Sequence, residues 1–166
     1  MRLFVSLRPS APVVAHLAAA LDGRRTSPPE QWHITLAFLG EVGNPEVLYD
    51  GLRAAAAGTS PFTLHLSGAG AFTRARVVWV GVGGDVDGLR GLASEVQLAC
   101  RDAGIALETR PFRPHLTIGR TGRLDAAVLK DYGGPAWQVQ EVELVHSVLG
   151  RTATHTVLER FALYQA

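Results

Sequence analysis

Apolar and polar residues alternate in several short runs of the chain, which is the pattern of strands with one buried face. Leu3, Val5 and Leu7 alternate with Phe4 and Ser6 in the first run, which Pro9 ends. A later run is continuously apolar and indicates a strand buried on both faces. We predict strands over about residues 3–7, 32–39, 62–67, 77–82, 112–119, 137–149 and 155–163.

Other stretches repeat their apolar residues every three or four positions, which is typical of helices with one buried stripe. Ser10 can cap a helix over about residues 11–21, and Asn44 with Pro45 starts another that runs to about Ala57. Asp87 is expected to cap a third helix through about Ala103, which Gly104 ends. A short helix is predicted over about residues 124–132.

These elements follow the same order twice. About residues 10–83 and 86–164 each give helix, motif strand, helix, strand and strand. We therefore predict an α+β fold in a single domain over residues 1–166, built as a duplication of architecture about a pseudo-two-fold axis.

Composition narrows the class of protein. The chain has 166 residues, 47% of them hydrophobic and 19% charged, with a net charge of +1, so any anion binding must come from local clusters of cations. No apolar run reaches the roughly 20 residues that a membrane helix needs, and the N-terminal run is too short for the core of a signal peptide. The single cysteine, Cys100, excludes an intramolecular disulfide and is expected in the core of a cytoplasmic protein.

One short motif occurs twice. His33-Ile34-Thr35-Leu36 returns 82 residues later as His115-Leu116-Thr117-Ile118, each time after a turn that contains proline. Successive side chains of a strand point to opposite faces, so each copy places its histidine and threonine together and its two apolar residues in the core. We interpret the two strands as two halves of one active site.

Paired histidines are suited to acid–base catalysis, because an imidazole titrates near pH ~6.5 and can serve as base or acid. Thr35 and Thr117 add neutral hydroxyl donors. Four arginines surround the second motif, and Arg120, five residues after His115, is the best placed of them: Arg110, Arg113, Arg120 and Arg123. Hydroxyls and guanidinium groups together favour a phosphate as the reacting group.

Most of these motifs and clusters, taken singly, have an ordinary structural explanation. One His-x-Thr alone predicts nothing, and a basic cluster is often only solvated surface. Zinc at His33 and His115 is possible, but the motifs supply no cysteine or carboxylate as a third ligand. His16 and His65 are expected on the surface, and His146, which alternates with apolar residues, is expected to be buried.

The motifs with their flanks resemble the two-histidine phosphoesterases, and within them the RNA 2′,3′-cyclic phosphodiesterases, historically called 2′-5′ RNA ligases. The resemblance covers nearly the whole chain. It rests on residues 2–5, 32–41, 78–81 and 112–120, on Phe62, Gly68 and Gly70, and on the closing pattern Leu158, Phe161 and Leu163. His155 departs from the family, which often has an aromatic residue before the last strand.

The resemblance implies a bilobal α+β structure, in which two antiparallel sheets flank a cleft and helices cover the outer faces. It implies opening of a terminal RNA 2′,3′-cyclic phosphate to a 2′-phosphate without metal or cofactor. One histidine would activate water while the other protonates the departing 3′-oxygen. His115 as base and His33 as acid is our expectation, although the near symmetry of the motifs leaves it open. Thr35, Thr117 and Arg120 would hold phosphate oxygens.

Two other functions stay open at this point. The same site could run the reverse reaction and join RNA ends through a 2′-5′ linkage, or it could bind RNA ends without catalysis. We expect a cytoplasmic monomer that acts on RNA ends or nucleotides carrying a 2′,3′-cyclic phosphate, with no membrane partner.

Overall fold

The computed structural model describes residues 1–166 and contains eight strands and three α-helices. The strands are β1 (Arg2–Leu7), β2 (Ile34–Glu41), β3 (Phe62–Phe72), β4 (Val77–Gly84), β5 (His115–Arg120), β6 (Trp137–Val139), β7 (Glu141–Val148) and β8 (Thr154–Ala162). The helices are α1 (Ala11–Ala20), α2 (Tyr49–Ala57) and α3 (Val86–Asp102). Short 3₁₀ turns cover Pro29–Gln31, Pro45–Leu48 and Ala126–Leu129.

The capping chemistry expected at the starts of the helices is present only in part. Ser10 precedes α1, but its side chain makes no capping hydrogen bond. The Asn44 side chain accepts a hydrogen bond from the backbone N–H of Glu46 at the start of the turn that leads into α2. Asp85, not the predicted Asp87, caps α3 by accepting from the N–H of Gly88 at 2.8 Å. The short helix expected over 124–132 is wrong, since only one 3₁₀ turn forms there.

All eight strands belong to one antiparallel sheet in the order β6-β3-β4-β5-β2-β1-β7-β8. The α+β class is confirmed, but the expectation of two separate sheets is wrong in this respect. The two halves of the sheet meet between β5 and β2, where Ile34 and Leu116 are the only paired residues. The predicted strand over 137–149 is divided at Gln140, so its first part pairs with β3 and its second with β1.

The core lies on one face of this sheet, beneath the helices. Helix α3 packs on β2 and on α2, and α2 also packs on β8. Ile34, Leu36, Leu116 and Ile118 are buried in this core, and so is the thiol of Cys100. The core anchors both motif strands by their apolar residues, and the opposite face, which we call the motif face, carries their histidines and threonines.

The length and composition of the helices decide whether any of them could span a membrane. The longest, α3, has 17 residues and includes several charged side chains. No helix has both the length and the apolar character required to cross a bilayer.

Candidate active site

The two motifs lie on the two central strands of the sheet. Ile34 and Leu116 are antiparallel partners, so extending that register by one residue places His33 opposite Thr117 and Thr35 opposite His115. All four side chains are partly buried and alternate with buried apolar residues. The duplicated motif therefore gives one four-membered group with two imidazoles on a diagonal.

Both imidazoles are held by the same hydrogen bond. His33 Nδ1 lies 2.7 Å from the carbonyl oxygen of Gln31, and His115 Nδ1 lies 2.6 Å from that of Arg113. A carbonyl can only accept, so Nδ1 carries the proton in each ring and Nε2 is left for chemistry. A neutral ring then offers a base at Nε2, and a charged ring offers an acid at the same atom.

Different lead-in turns produce this common geometry. Before the first motif, Trp32 is buried and its indole N–H donates to Ser27 Oγ at 3.1 Å, which fixes the Pro29–Gln31 turn. Before the second motif, Arg90 of α3 donates to the carbonyl of Phe112 at 3.1 Å. Each turn thus presents a carbonyl two residues before its histidine.

His33 is enclosed by other rings. The Phe4 ring stacks on it with centroids 4.7 Å apart, and His155 approaches it edge-on at 5.5 Å. Phe4 also meets His155 at 5.2 Å. Burial lowers the pKa of His33 to about 4, against the hydrogen bond to the Gln31 carbonyl, and nearby His155, Arg8 and His115 act in the same direction as burial.

His155 is a member of the site that its sequence position alone did not identify. It opens β8, and burial with the nearby Arg8 guanidinium lowers its pKa. The side-chain amide of Gln31 donates to the carbonyl of Ala153 at 2.7 Å and so links the β7–β8 connection to the first motif. The available signal was its departure from the family pattern, which marked the position without showing that the ring meets His33.

His115 lies in a more open environment. The edge of the Phe72 ring meets it at a centroid distance of 4.9 Å, and Phe72 in turn lies 5.5 Å from Trp79. Its partner on β4 is Gly81, which has no side chain. The residues that surround the His115 ring therefore come from β3 and β4, whereas those that surround the His33 ring come from β1 and β8.

Arg120 reaches the motif face because β5 contains a bulge. Trp79 pairs with Thr117, but the next pair is Val78 with Gly119, so Ile118 is an extra residue. Val77 and Trp79 alternate with the buried Val78, so Arg120, the partner of Val77, shares the face of Thr117. Simple alternation from His115 would have put Arg120 on the opposite face.

The other arginines and histidines from the sequence analysis lie outside the group formed by the two motifs. Arg110 pairs with Glu108, and Arg123 lines a shallow pocket with Ala71 and Val78. His16 contacts the Tyr132 hydroxyl through Nδ1 at 2.7 Å. His146 is only partly buried and pairs with Leu3 on β1.

The single cysteine and the arrangement of potential metal ligands also bear on the chemistry that the chain can perform. Burial raises the pKa of the Cys100 thiol to about 12, which leaves no thiolate at neutral pH. No three side chains of His, Cys, Asp or Glu come together in an arrangement that could hold a metal ion.

Comparison with known proteins identifies the family. The model of the 2′-5′ RNA ligase superfamily matches residues 6–151, which include both motifs. The chain belongs to this superfamily, and the resemblance drawn from the motifs is confirmed.

Several curated relatives carry the name RNA 2′,3′-cyclic phosphodiesterase. The Archaeoglobus fulgidus protein is 31% identical over 164 residues, covering 90% of this chain and 92% of the relative. The Escherichia coli protein is 35% identical over 134 residues, covering 80% and 76%. The Geobacillus stearothermophilus protein is 34% identical over 148 residues, but the chain spans only 47% of its length. It spans 61% of the Aeropyrum pernix relative.

Solved structures agree with the fold. A protein described as a phosphoesterase has a TM-score of 0.81 and 30% identity, with 99% of this chain and 98% of that chain covered. Escherichia coli LigT complexed with 3′-AMP has a TM-score of 0.78, 31% identity and the same coverage. LigT has also been crystallised with phosphate, at a TM-score of 0.73 and 29% identity.

Proposed function

We propose that this chain hydrolyses the terminal 2′,3′-cyclic phosphate of RNA to a 2′-phosphate, using His33 and His115 and no metal. The observation that carries this proposal is the pair of Nδ1–carbonyl hydrogen bonds, which leaves Nε2 of both imidazoles available. Binding alone would not require two rings with the same tautomer. The curated relatives named RNA 2′,3′-cyclic phosphodiesterase support the same reaction.

The reaction is a displacement at phosphorus. A neutral imidazole accepts a proton from water at Nε2 while the water oxygen bonds to phosphorus. The bond between phosphorus and the 3′-oxygen breaks, and the second imidazole, charged at that stage, protonates the leaving oxygen. Each histidine ends in the protonation state that the other had, so proton exchange with solvent restores the pair.

The environment of the rings supports His33 as the base, opposite to our expectation from sequence. A pKa of about 4 makes the His33 ring neutral at pH 7, ready to accept a proton. His115 is then the donor to the 3′-oxygen. The His115 ring, once charged, lowers the pKa of His33, so the titration of His33 is coupled to the state of its partner.

Thr35 and Thr117 are proposed to donate hydroxyl hydrogen bonds to the non-bridging oxygens, whose negative charge develops in the transition state. Their diagonal position between the imidazoles supports this role. Arg120 is proposed to assist from the same face. Its row lies four β4 residues from that of His115, roughly 13 Å along the strand, and its long side chain covers part of this distance.

We also propose that residues 1–166 form one domain with two lobes related by a pseudo-two-fold axis. The strand order supports this, since β2 and β5 meet at the centre and β1 and β4 flank them. The order favours repeats that begin one strand earlier than predicted, at β1 and β4. A monomeric state in the cytoplasm remains a prediction.

The test is identification of the product from a defined oligoribonucleotide that ends in a 2′,3′-cyclic phosphate. The incubation contains EDTA, and chromatography against standards separates the 2′-phosphate from the 3′-phosphate. A 2′-phosphate is expected, and the double variant His33→Ala/His115→Ala is the control for contaminating activity. A 3′-phosphate product, or loss of turnover with EDTA, would contradict the mechanism.

A second experiment distinguishes hydrolysis from 2′-5′ ligation and from binding without catalysis. A strand with a free 5′-hydroxyl is added, and a 2′-5′ joined product would support ligation. Unchanged cyclic phosphate after prolonged incubation, together with salt-sensitive binding of the oligonucleotide, would support a noncatalytic RNA-end module.

A further inference from the structure

We propose that the end of the sheet beyond Arg120 binds the backbone phosphates of single-stranded RNA that precede the terminal nucleotide. This surface, which we call the arginine edge, consists of Arg24, Arg25, Arg74, Arg76 and Arg123. The inference rests on the proposed function, because the RNA end must enter the site between His33 and His115. It predicts that the enzyme prefers an oligonucleotide over a cyclic mononucleotide.

Three loops bring these arginines together around the end of β5. The β3–β4 connection carries Arg74 and Arg76, and the backbone N–H of Thr121, just after β5, donates to the Arg76 carbonyl at 3.0 Å. The loop before the first motif runs along the other side of β5, where Ser27 N–H donates to the Ile118 carbonyl at 2.8 Å. A Cβ on Gly119 would lie 3.5 Å from the carbonyl oxygen of Arg25.

The charge of this edge is not neutralised within the protein. All five arginines are exposed, and none forms an ion pair or a side-chain hydrogen bond. The acidic residues beside them in sequence are Asp22 and Asp125, and the Asp125 carboxylate already caps a 3₁₀ turn through Ala127 N–H. The net charge of +1 therefore hides a local excess of cations at this edge.

The backbone of the β3–β4 connection supports a functional reason for its arginines. Arg76 has φ of 57° and is the only non-glycine residue of the chain with positive φ. Glycine or asparagine adopts this conformation at lower cost, and the exposed Arg76 side chain forms no ion pair or side-chain hydrogen bond that would offset the difference. A guanidinium that binds a ligand would account for the choice.

Distance separates the edge from the reacting phosphate. The rows of His115 and Arg120 are roughly 13 Å apart along β4, and Arg74 and Arg76 lie beyond the latter row. A phosphate bound between the imidazoles is therefore out of reach of the β3–β4 connection. The groups that a polynucleotide substrate would place there are its next phosphates, and arginine suits phosphate oxygens through paired N–H donors.

The experiment compares kcat/KM for a cyclic mononucleotide and for a ten-residue single-stranded oligoribonucleotide with the same cyclic end. Arg74→Gln/Arg76→Gln should lower the oligonucleotide value on the order of tenfold and leave the mononucleotide value within about twofold. The dependence of log kcat/KM on log salt should become shallower by about 1.4, as expected for two lost contacts to a single strand. Arg2→Gln/Arg101→Gln is the matched control, because it removes the same charge from exposed, unpaired arginines at the start of β1 and in α3, outside the edge.

Two results would overturn the inference: an unchanged preference for the oligonucleotide in Arg74→Gln/Arg76→Gln, or an equal loss in the control variant. Arg76→Gly separates binding from folding, since it should keep or raise the thermal midpoint while losing part of the preference. If the wild-type protein hydrolyses neither substrate, the proposed function fails by itself. Titration with the same strand bearing a plain 3′-phosphate, at several salt concentrations, then still tests the edge in wild type and variants.

Discussion

The two motif histidines are alike in their hydrogen bonds and different in their surroundings. Each donates from Nδ1 to the carbonyl two residues before it, at 2.7 and 2.6 Å. His33 is enclosed by Phe4 and His155, which lower its exposure to water, and Arg8 adds a repelling charge. His115 meets only the edge of Phe72 among the aromatic rings.

The duplicated motif thus sets the tautomer of each imidazole and the direction of its Nε2. The residues that neighbouring strands pack around a ring set its protonation state. An acid–base pair needs two rings in different protonation states at one pH. Identical motifs in identical surroundings would titrate together. Here the asymmetry comes from β1 and β8, which pack residues on the first ring that the second ring lacks.

The largest effect expected from breaking the pair is on turnover. His33→Ala and His115→Ala should each lower kcat for a cyclic-phosphate substrate by about 10²- to 10⁴-fold, since each removes one proton-transfer group. Steady-state assays of both variants, with circular dichroism to verify folding, give the comparison. The double variant should be little worse than either single one, because the groups act together. Wild-type turnover in either single variant would remove that histidine from the mechanism.

The lowered pKa of His33 should make the free energy of unfolding depend on pH. The unfolded chain binds a proton at His33 near pH 6.5, whereas the folded protein resists it until about pH 4. The stabilisation from neutral His33 is therefore complete above pH 6.5 and is lost as the pH falls toward 4, by up to about 3 kcal/mol.

Urea denaturation at pH 7, 5.5 and 4.5 measures this loss. His33→Ala should flatten the decrease in the free energy of unfolding, and His115→Ala should leave most of it in place. An equally steep decrease in His33→Ala would show that other groups, such as His155, cause it.

The smallest expected effect is on the pH profile of activity, and it comes from His155, which lies against the His33 ring but not against His115. His155→Asn removes a group that can carry positive charge and opens the edge of the His33 ring to water, and both changes raise the pKa of His33. The acidic limb of the kcat/KM profile should move upward by less than about one pH unit. Tyr164→Phe, at an exposed position outside the site, is the control and should leave the profile in place.

The sequence predicted the parts of the site that depend on local periodicity. Alternation alone placed His33 with Thr35 and His115 with Thr117, and the buried Ile34 and Leu116 agree with it. Features that depend on pairing were not accessible in this way. The extra residue Ile118 is visible only in the register with β4, and it changes the face on which Arg120 lies.

Long-range contacts set a similar limit. His155 is 122 residues from His33 in the chain, and no spacing rule connects them. The single sheet was missed because its halves are joined by one residue pair, which leaves no pattern in the sequence. Asp85 was missed as a cap because two aspartates lie within three positions and either could start α3.

The order of the strands has a consequence for how the chain can be divided. Strand β7, from the second half of the polypeptide, lies between β1 and β8, and β3, from the first half, lies between β4 and β6. A cut between β4 and α3 would leave each fragment without strands that its own hydrophobic surface requires. Each fragment would also carry only one of the two motif histidines, so we expect activity to return only on reassociation of the two.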